Sequence, residues 1–499
     1  MKALLMHKDR DFDFQRNLPP NEQALTQDLE LNTLFKAMAQ GDQFLYEVAK
    51  KAVLSGLNHP EAIHYRQNIL RDCIKNSFIV RDIYDIAVEA IENKKNHWYG
   101  IFSKYPASIL HNSIEMLQMS VGMLKKLRII ADEHADKFES EGFTAFFAML
   151  DKELDDDFFI SVQNHLKELK FRNGVLISAE LGNGNEGADY KLRKSHGKNR
   201  GWMKRIFAAK PPVYTFYIAD RDIGGAKALS ELKDKGINLV ANALAQSSDH
   251  IESFFNLLRA ELAFYVGCLN LHGQLTQMGE PISFPLPVVS SERRHSFNGL
   301  YDVCLALIMK QKIVGNDVNA DDKEIVIVTG ANQGGKSTFL RSIGLAQLMM
   351  QCGMFVPAES FSANVCAGLF THYKRKEDVT MKSGKLAEEL SRMSEIVDNV
   401  TSHSMLLFNE SFAATNEREG SEIAGQIIYA LLEKRIKVFF VTHLYEFARC
   451  FHDKKSGKSL FLRALRQSDG RRTFKLIDGE PLQTSYGEDL YKTIFGTDN

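Results

Sequence analysis

Residues 325–351 read Ile325-Val-Ile-Val-Thr-Gly330-Ala-Asn-Gln-Gly-Gly335-Lys336-Ser337-Thr-Phe-Leu-Arg-Ser-Ile-Gly-Leu-Ala-Gln-Leu-Met-Met-Gln351, and they decide the fold of the C-terminal part of the chain. Ile325–Val328 is a short apolar run of the kind that forms a buried parallel strand. Gly330–Ser337 matches GxxxxGK[ST] in full, and Thr338–Gln351 has the pattern of a helix. A strand before and a helix after are what separate a phosphate-binding loop from a Gly-rich turn that matches by chance. Glycines let backbone N–H groups turn inward around phosphates, and the N-terminus of the following helix adds partial positive charge. Lys336 is therefore expected to reach the β- and γ-phosphates of ATP and Ser337 to ligate Mg²⁺. Gly330, Ala331, Asn332, Gln333, Gly334, Gly335 and Thr338 are expected to complete the cradle.

Outward from the loop, Met405–Phe408 and Val438–Val441 are further short apolar runs, separated by helical segments. From about residue 285 the alternation predicts a doubly wound α/β domain. Met405–Phe408 ends in Asn409-Glu410, and Val438–Val441 ends in Thr442-His443. A carboxylate at Glu410 is suited to polarise a water that attacks the γ-phosphate.

The loop GANQGGKSTFLR at residues 330–341 resembles the GPNMGGKST of the MutS family. Phe355-Val-Pro-Ala358 resembles that family's YVPA, and Val314-Gly-Asn-Asp317 resembles the segment that holds the adenine, with Ile313 and Val314 where an aromatic residue often stands. Glu410 falls at the position of the family's catalytic glutamate, and Asn409 at that of the Walker-B aspartate, which helps hold Mg²⁺ through water. The neutral Asn409 implies weaker Mg²⁺ retention and slower turnover. Thr442-His443-Leu444 with Glu446 resembles the THxxE segment, which makes His443 a γ-phosphate sensor rather than an ordinary loop residue. Glu377–Glu388 resembles the signature-like segment that crosses to a partner subunit, with Ser383 the matching serine. Ser383 also has the position of a simple helix N-cap before Leu386–Val397, and both roles are compatible. The resemblance implies an ABC-type P-loop ATPase domain over 291–499 that forms a homodimer around two ATPs, each completed in trans by Ser383.

Residues 26–290 read as a helical core and lever, with Leu31, Phe35, Met38, Leu45, Val48 and Val53 recurring at three- to five-residue spacing. Pro60-Glu61 restarts a helix after the break at 56–59. His64-Tyr-Arg-Gln-Asn-Ile-Leu70 resembles the family's core-domain element, and Leu262–Leu271 its lever helix. Residues 1–25 read as a loose polar lead-in. With the core starting near 26 there is no room for a mismatch-reading domain, and no nuclease-like module follows the ATPase, so the chain is not expected to find mismatches by itself.

A small β insert at 171–225 interrupts the helices. Gly174–Ala179 and Val213–Ile218 read as its strands and Gly182–Gly187 as a turn. Lys191, Arg193, Lys194, Lys198, Arg200, Lys204 and Arg205 occur without an acidic residue among them, beside Tyr190, His196 and Trp202. Flexible cations near a hairpin tip suit phosphate contacts without sequence reading, and Trp202 suits stacking on an exposed base. A solvated loop, or a patch that meets an acidic protein, is the competing reading.

The bulk properties narrow these readings. The 499 residues carry a formal net charge of −1, so DNA binding has to come from locally gathered cations. Six scattered cysteines show no zinc spacing and read as buried thiols of a reducing compartment. There is no signal-peptide core, and the best membrane candidate, Phe254–Leu271, is interrupted by Arg259 and Glu261, so the expected location is cytoplasmic, away from any membrane. The leading expectation is an ATP-driven, DNA-binding protein of mismatch repair or recombination. The competing expectations are an ATP-dependent switch on a protein or RNA complex such as the ribosome, and a non-hydrolysing nucleotide-gated scaffold.

Overall fold

The computed structural model describes residues 1–97, 105–172, 174–194, 214–375, 384–454, 456–467 and 472–481. These fall into two compact units, one of residues 1–3, 78–138 and 144–259, the other of residues 4–77, 139–143 and 260–499.

The first unit is helical apart from one hairpin. Its chain passes through Pro106–His134 and Asp156–Leu169, the second capped by the Asp155 carboxylate on the Phe158 N–H. It also contains residues 223–259 of the helix Ile223–Gln277. Leu110, Ile114, Leu117, Leu166, Ile237 and Ala241 form its core. The hairpin pairs β1 (Leu176–Leu181) with β2 (Gly187–Arg193), antiparallel, with Leu176 opposite Arg193 and Ser178 opposite Lys191.

This corrects the expected second strand of the insert. Tyr214–Ile218 has no strand structure, and Tyr214, Phe216 and Tyr217 are each more than 80% exposed. Alternation alone does not make a strand without a neighbour to complete its ladder. Gly187–Arg193 supplies that neighbour through a short turn, and it turns Tyr190 and Leu192 to the half-buried side.

The second unit begins in a helical region, with Glu22–Asp28, Leu31–Ala39, Gln43–Leu54 and Pro60–Lys75. Pro60 occupies the first turn of its helix, where its missing N–H costs nothing. The segment read as a loose lead-in is packed at its start, with Leu5 and Met6 fully buried. Its anchor is Glu261, also fully buried, which accepts the N–H groups of Leu5 (2.5 Å), Met6 (3.4 Å) and Phe12 (3.1 Å). Burial pushes this carboxyl up to about 7 against the pull of those amides. Arg66 adds a second clamp, donating from Nε to the Met6 carbonyl (3.1 Å) and from Nη1 to that of Cys352 (3.0 Å). Glu261 is thus a buried ligand of backbone as well as an interruption of an apolar run. Among the described residues no helix is long and apolar enough to cross a membrane.

Mixed α/β structure follows. Its strands are β3 (Leu286–Val288), β4 (His295–Leu300), β5 (Asn316–Asn319), β6 (Ile325–Thr329), β7 (Ser360–Asn364), β8 (Leu369–Tyr373), β9 (Met405–Asn409), β10 (Lys437–Val441), β11 (Ser459–Arg466) and β12 (Arg472–Asp478). The main sheet has the order β12-β11-β6-β10-β9-β8, parallel throughout except for the antiparallel edge strand β12. Its central strands are buried on both faces, which explains their uninterrupted apolar character. A smaller sheet, β3-β7-β4-β5, is mixed.

Candidate functional site

The loop after β6 owes its path to glycine. Gly330 (φ 106°) and Gly335 (φ 87°) lie in the left-handed region, and Gly335 is the N-cap of the helix Lys336–Gln351. A Cβ at Gly334 would meet Ala464 Cβ at 2.7 Å and the Ala331 carbonyl oxygen at 2.9 Å. Within this loop the Lys336 ammonium donates to the carbonyls of Gly330 (2.9 Å) and Ala331 (2.8 Å). Burial lowers its pKa to about 8, with the Glu410 charge pulling the other way.

The sheet order sets the acidic residue beside the loop. β10 lies between β6 and β9, with Val441 opposite both Val328 and Asn409. Asn409, the last residue of β9, accepts a hydrogen bond from the Ser337 hydroxyl at 3.0 Å. Glu410 follows with φ 53°, its N–H bonded to the Val441 carbonyl (2.9 Å) and its carboxylate 3.2 Å from His443 Nε2. That His443 hydrogen bond holds the Glu410 carboxyl below its usual range against partial burial, helped by the charges of Lys374 and Lys336. Thr442 fixes the start of the His443 loop, its N–H on the Val328 carbonyl (3.1 Å) and its hydroxyl accepting from the Leu444 N–H (2.9 Å).

A buried network supports the unusual turn after β9. His372 Nε2 donates to the Glu389 carbonyl (3.0 Å), and its Nδ1 lies 2.7 Å from the Ser411 hydroxyl. The Glu389 carboxylate accepts the N–H of Phe412 at 2.9 Å, where φ is 62°. None of these supports was read from the sequence. They are ordinary polar residues whose role exists only once β8 and β9 are neighbours.

Lys336, Ser337 and Glu410 line a cavity of about 470 Å³ together with Asn332, Gln333, Gly334, Gly335 and Thr338. Its apolar side is formed by Leu305, Met309, Ile313 and Val314. Phe474, on the edge strand β12, also lines it and was missed, being a single aromatic in an otherwise unremarkable strand. Asn316 ties that strand in place, accepting the Leu476 N–H (2.8 Å) and donating to the Phe474 carbonyl (3.3 Å). Ser337 and Asn409 offer a hydroxyl and a neutral amide oxygen to a Mg²⁺ ion, a donor set that fits an ion held mostly by water and phosphate oxygens.

Ser383 lies outside the described residues, and the N-cap of the helix Lys385–Asn399 is Gly384. The cap role considered for Ser383 therefore falls to its neighbour. In the insert, Lys198, Arg200, Trp202, Lys204 and Arg205 also lie outside the described residues. Lys191 pairs with Asp189, Lys194 with Glu168 (3.1 Å), and Arg193 donates to the Ser178 hydroxyl (2.8 Å). Acidic and polar residues from flanking segments thus engage cations that the sequence presents as an unopposed run.

Two family models match the chain, the MutS2 N-terminal domain over residues 58–278 and MutS domain V over residues 326–495. Among curated proteins, the DNA mismatch repair protein MutS of Clostridium kluyveri is 27% identical over 270 residues, covering 52% of this chain and 30% of that protein. MutS of Lactobacillus delbrueckii subsp. bulgaricus is 29% identical over 272 residues, covering 52% and 31%. MutS of Clostridium perfringens is 31% identical over 202 residues, covering 39% and 22%. The chain spans less than a third of the length of the curated relatives it matches.

Proposed function

The chain belongs to the MutS family, and from that premise we propose that it is an ATPase that couples ATP binding and hydrolysis to DNA binding, in mismatch repair or recombination. The observation that carries this reading is the convergence of Lys336, Ser337, Asn409, Glu410 and His443 beside the loop at residues 330–337. ATP lies with its phosphates in that loop and its base against Val314 and Phe474. Lys336 exchanges the loop carbonyls it now holds for phosphate oxygens. Glu410, kept ionised by His443, orients and polarises the attacking water. His443 faces the terminal phosphate and reports its loss. Ser337, and Asn409 through water, would hold a Mg²⁺ ion that supplies charge neutralisation on the phosphates when bound. Two copies close around two ATPs, with Ser383 of each completing the other's site, and the long helices carry that closure to DNA held by the insert.

The test is steady-state ATPase activity with Mg²⁺, alone and with duplex, branched or single-stranded DNA. We expect hydrolysis that one DNA form changes, and loss of it in Lys336→Ala. A rate indifferent to every DNA form removes the coupling to DNA. The neutral Asn409 favours a second reading, in which ATP binds and gates the dimer without being turned over; bound ATP recovered intact after long incubation would select it.

A further inference from the structure

We propose that Lys374 is a second phosphate-facing cation of this site, one that contacts the terminal phosphate and makes the chain prefer a nucleoside triphosphate to a diphosphate. The inference rests on the nucleotide reading above. β8 runs parallel to β9 in a register that sets Leu369 opposite Met405 and Tyr373 opposite Asn409. The first residue past β8 is Lys374, and the first past β9 is Glu410. The Lys374 N–H donates to the Asn409 carbonyl at 2.9 Å, which fixes its backbone beside that strand end. Its side chain is exposed, and among the described residues its ammonium has neither an ion pair nor a hydrogen bond. An unpaired ammonium on a flexible four-carbon stem, at the carboxyl edge of a parallel sheet, stands where open α/β sheets bind their ligands.

The charges around it give that cation a use. Lys336 and Lys374 each favour the ionised Glu410 carboxylate, so both charges act at the group assigned to the attacking water. Lys374 also acts on the Glu389 carboxylate, which is already bonded to the Phe412 N–H. Asn409 contributes no negative charge at the end of β9. Lys336, Lys374 and Arg472, whose charge reaches Lys336, stand against the one carboxylate of Glu410 and leave the site net positive before any metal binds, and a terminal phosphate is the group that balances it. A diphosphate, held by the loop and Lys336 alone, has no group to offer Lys374. It also follows that the triphosphate depends less on Mg²⁺ here than at a site with a carboxylate on β9.

Equilibrium titration of the full chain with AMP-PNP and with ADP, in Mg²⁺ and in EDTA, tests this. Lys374→Ala is expected to weaken AMP-PNP about tenfold while ADP changes less than twofold, with the larger loss in EDTA. Lys374→Arg is expected to keep the triphosphate preference. A preference unchanged in Lys374→Ala, or lost equally for both nucleotides, overturns the proposal. Lys336→Ala separates the two layers of the argument, since it is expected to weaken both nucleotides. If it does not, or if the wild type binds neither, the nucleotide reading falls and this one with it.

Discussion

The loop Gly330–Ser337 and the hairpin Leu176–Arg193 carry the two halves of the proposed activity, and they are built on different principles. In the loop almost nothing is free to vary. The buried strands β10, beside β6, and β9, beside β10, fix where His443, Asn409 and Glu410 emerge, and a Cβ at Gly334 has no space. In the hairpin the cations stand at the surface, and those described are shared with Asp189, Glu168 and Ser178. A site made by backbone geometry should fail at single residues. A surface made by charge should fail gradually, by the sum of its parts.

The sharpest way to break that contrast is to cross the two regions. Lys336→Ala removes a buried cation whose place the phosphates need, and it should weaken ATP about 100-fold in a calorimetric titration. The triple change Lys191→Ala, Arg193→Ala and Lys194→Ala should leave ATP affinity within about twofold, because exposed charges are screened by salt and none of the three residues lines the cavity at the loop. A large loss of ATP binding in the triple variant would mean that the hairpin is not an independent surface.

A smaller effect separates the regions by pH. The Lys336 ammonium, lowered by burial to about 8, is charged below that pH and neutral above it in the free protein. Phosphate favours the charged form, so above about pH 8 binding must take up a proton. ATP affinity should therefore be level from pH 6.5 to 7.5 and fall by at most about tenfold per pH unit beyond 8. Proton uptake on binding, read from the heat in buffers of different ionisation enthalpy, checks the sign. A level affinity up to pH 9.5 would remove Lys336 from the phosphate contact.

The smallest effect belongs to the hairpin. Its triple alanine variant should weaken duplex DNA binding only severalfold in low salt and flatten the slope of log affinity against log salt by about 1 to 2.5 units. The loss falls short of three full contacts because Lys191 and Lys194 already have acidic partners. An unchanged slope would assign the hairpin's charge to a solvated surface or to a protein partner.

What the sequence disclosed follows the same division. Ile325–Val328, Met405–Phe408 and Val438–Val441 were legible as strands because a strand buried on both faces has to be apolar throughout. The residues just past their ends then became candidates by position. Strand β8 was not legible, since its alternation of Leu369, Phe370, Thr371, His372 and Tyr373 hides a role set by the neighbouring strand. Lys374 and Phe474 were lost for the same reason, each a surface-type residue brought to the site by a pairing with distant sequence. In the first unit, Tyr214–Ile218 carries a strand pattern without a ladder, whereas Gly187–Arg193 carries a ladder behind a weak pattern. Local pattern reports burial well and partnership poorly.

The central claim is that Glu410, held by His443 next to the loop, works as a catalytic carboxylate despite the neutral Asn409 before it. Single-turnover hydrolysis of bound ATP, comparing wild type with Glu410→Gln at saturating Mg²⁺, tests it most directly. Equal ATP binding in the two proteins is expected, with a hydrolysis rate about a hundredfold or more lower in the variant. Equal rates, or a wild type that holds ATP without cleaving it, would contradict it.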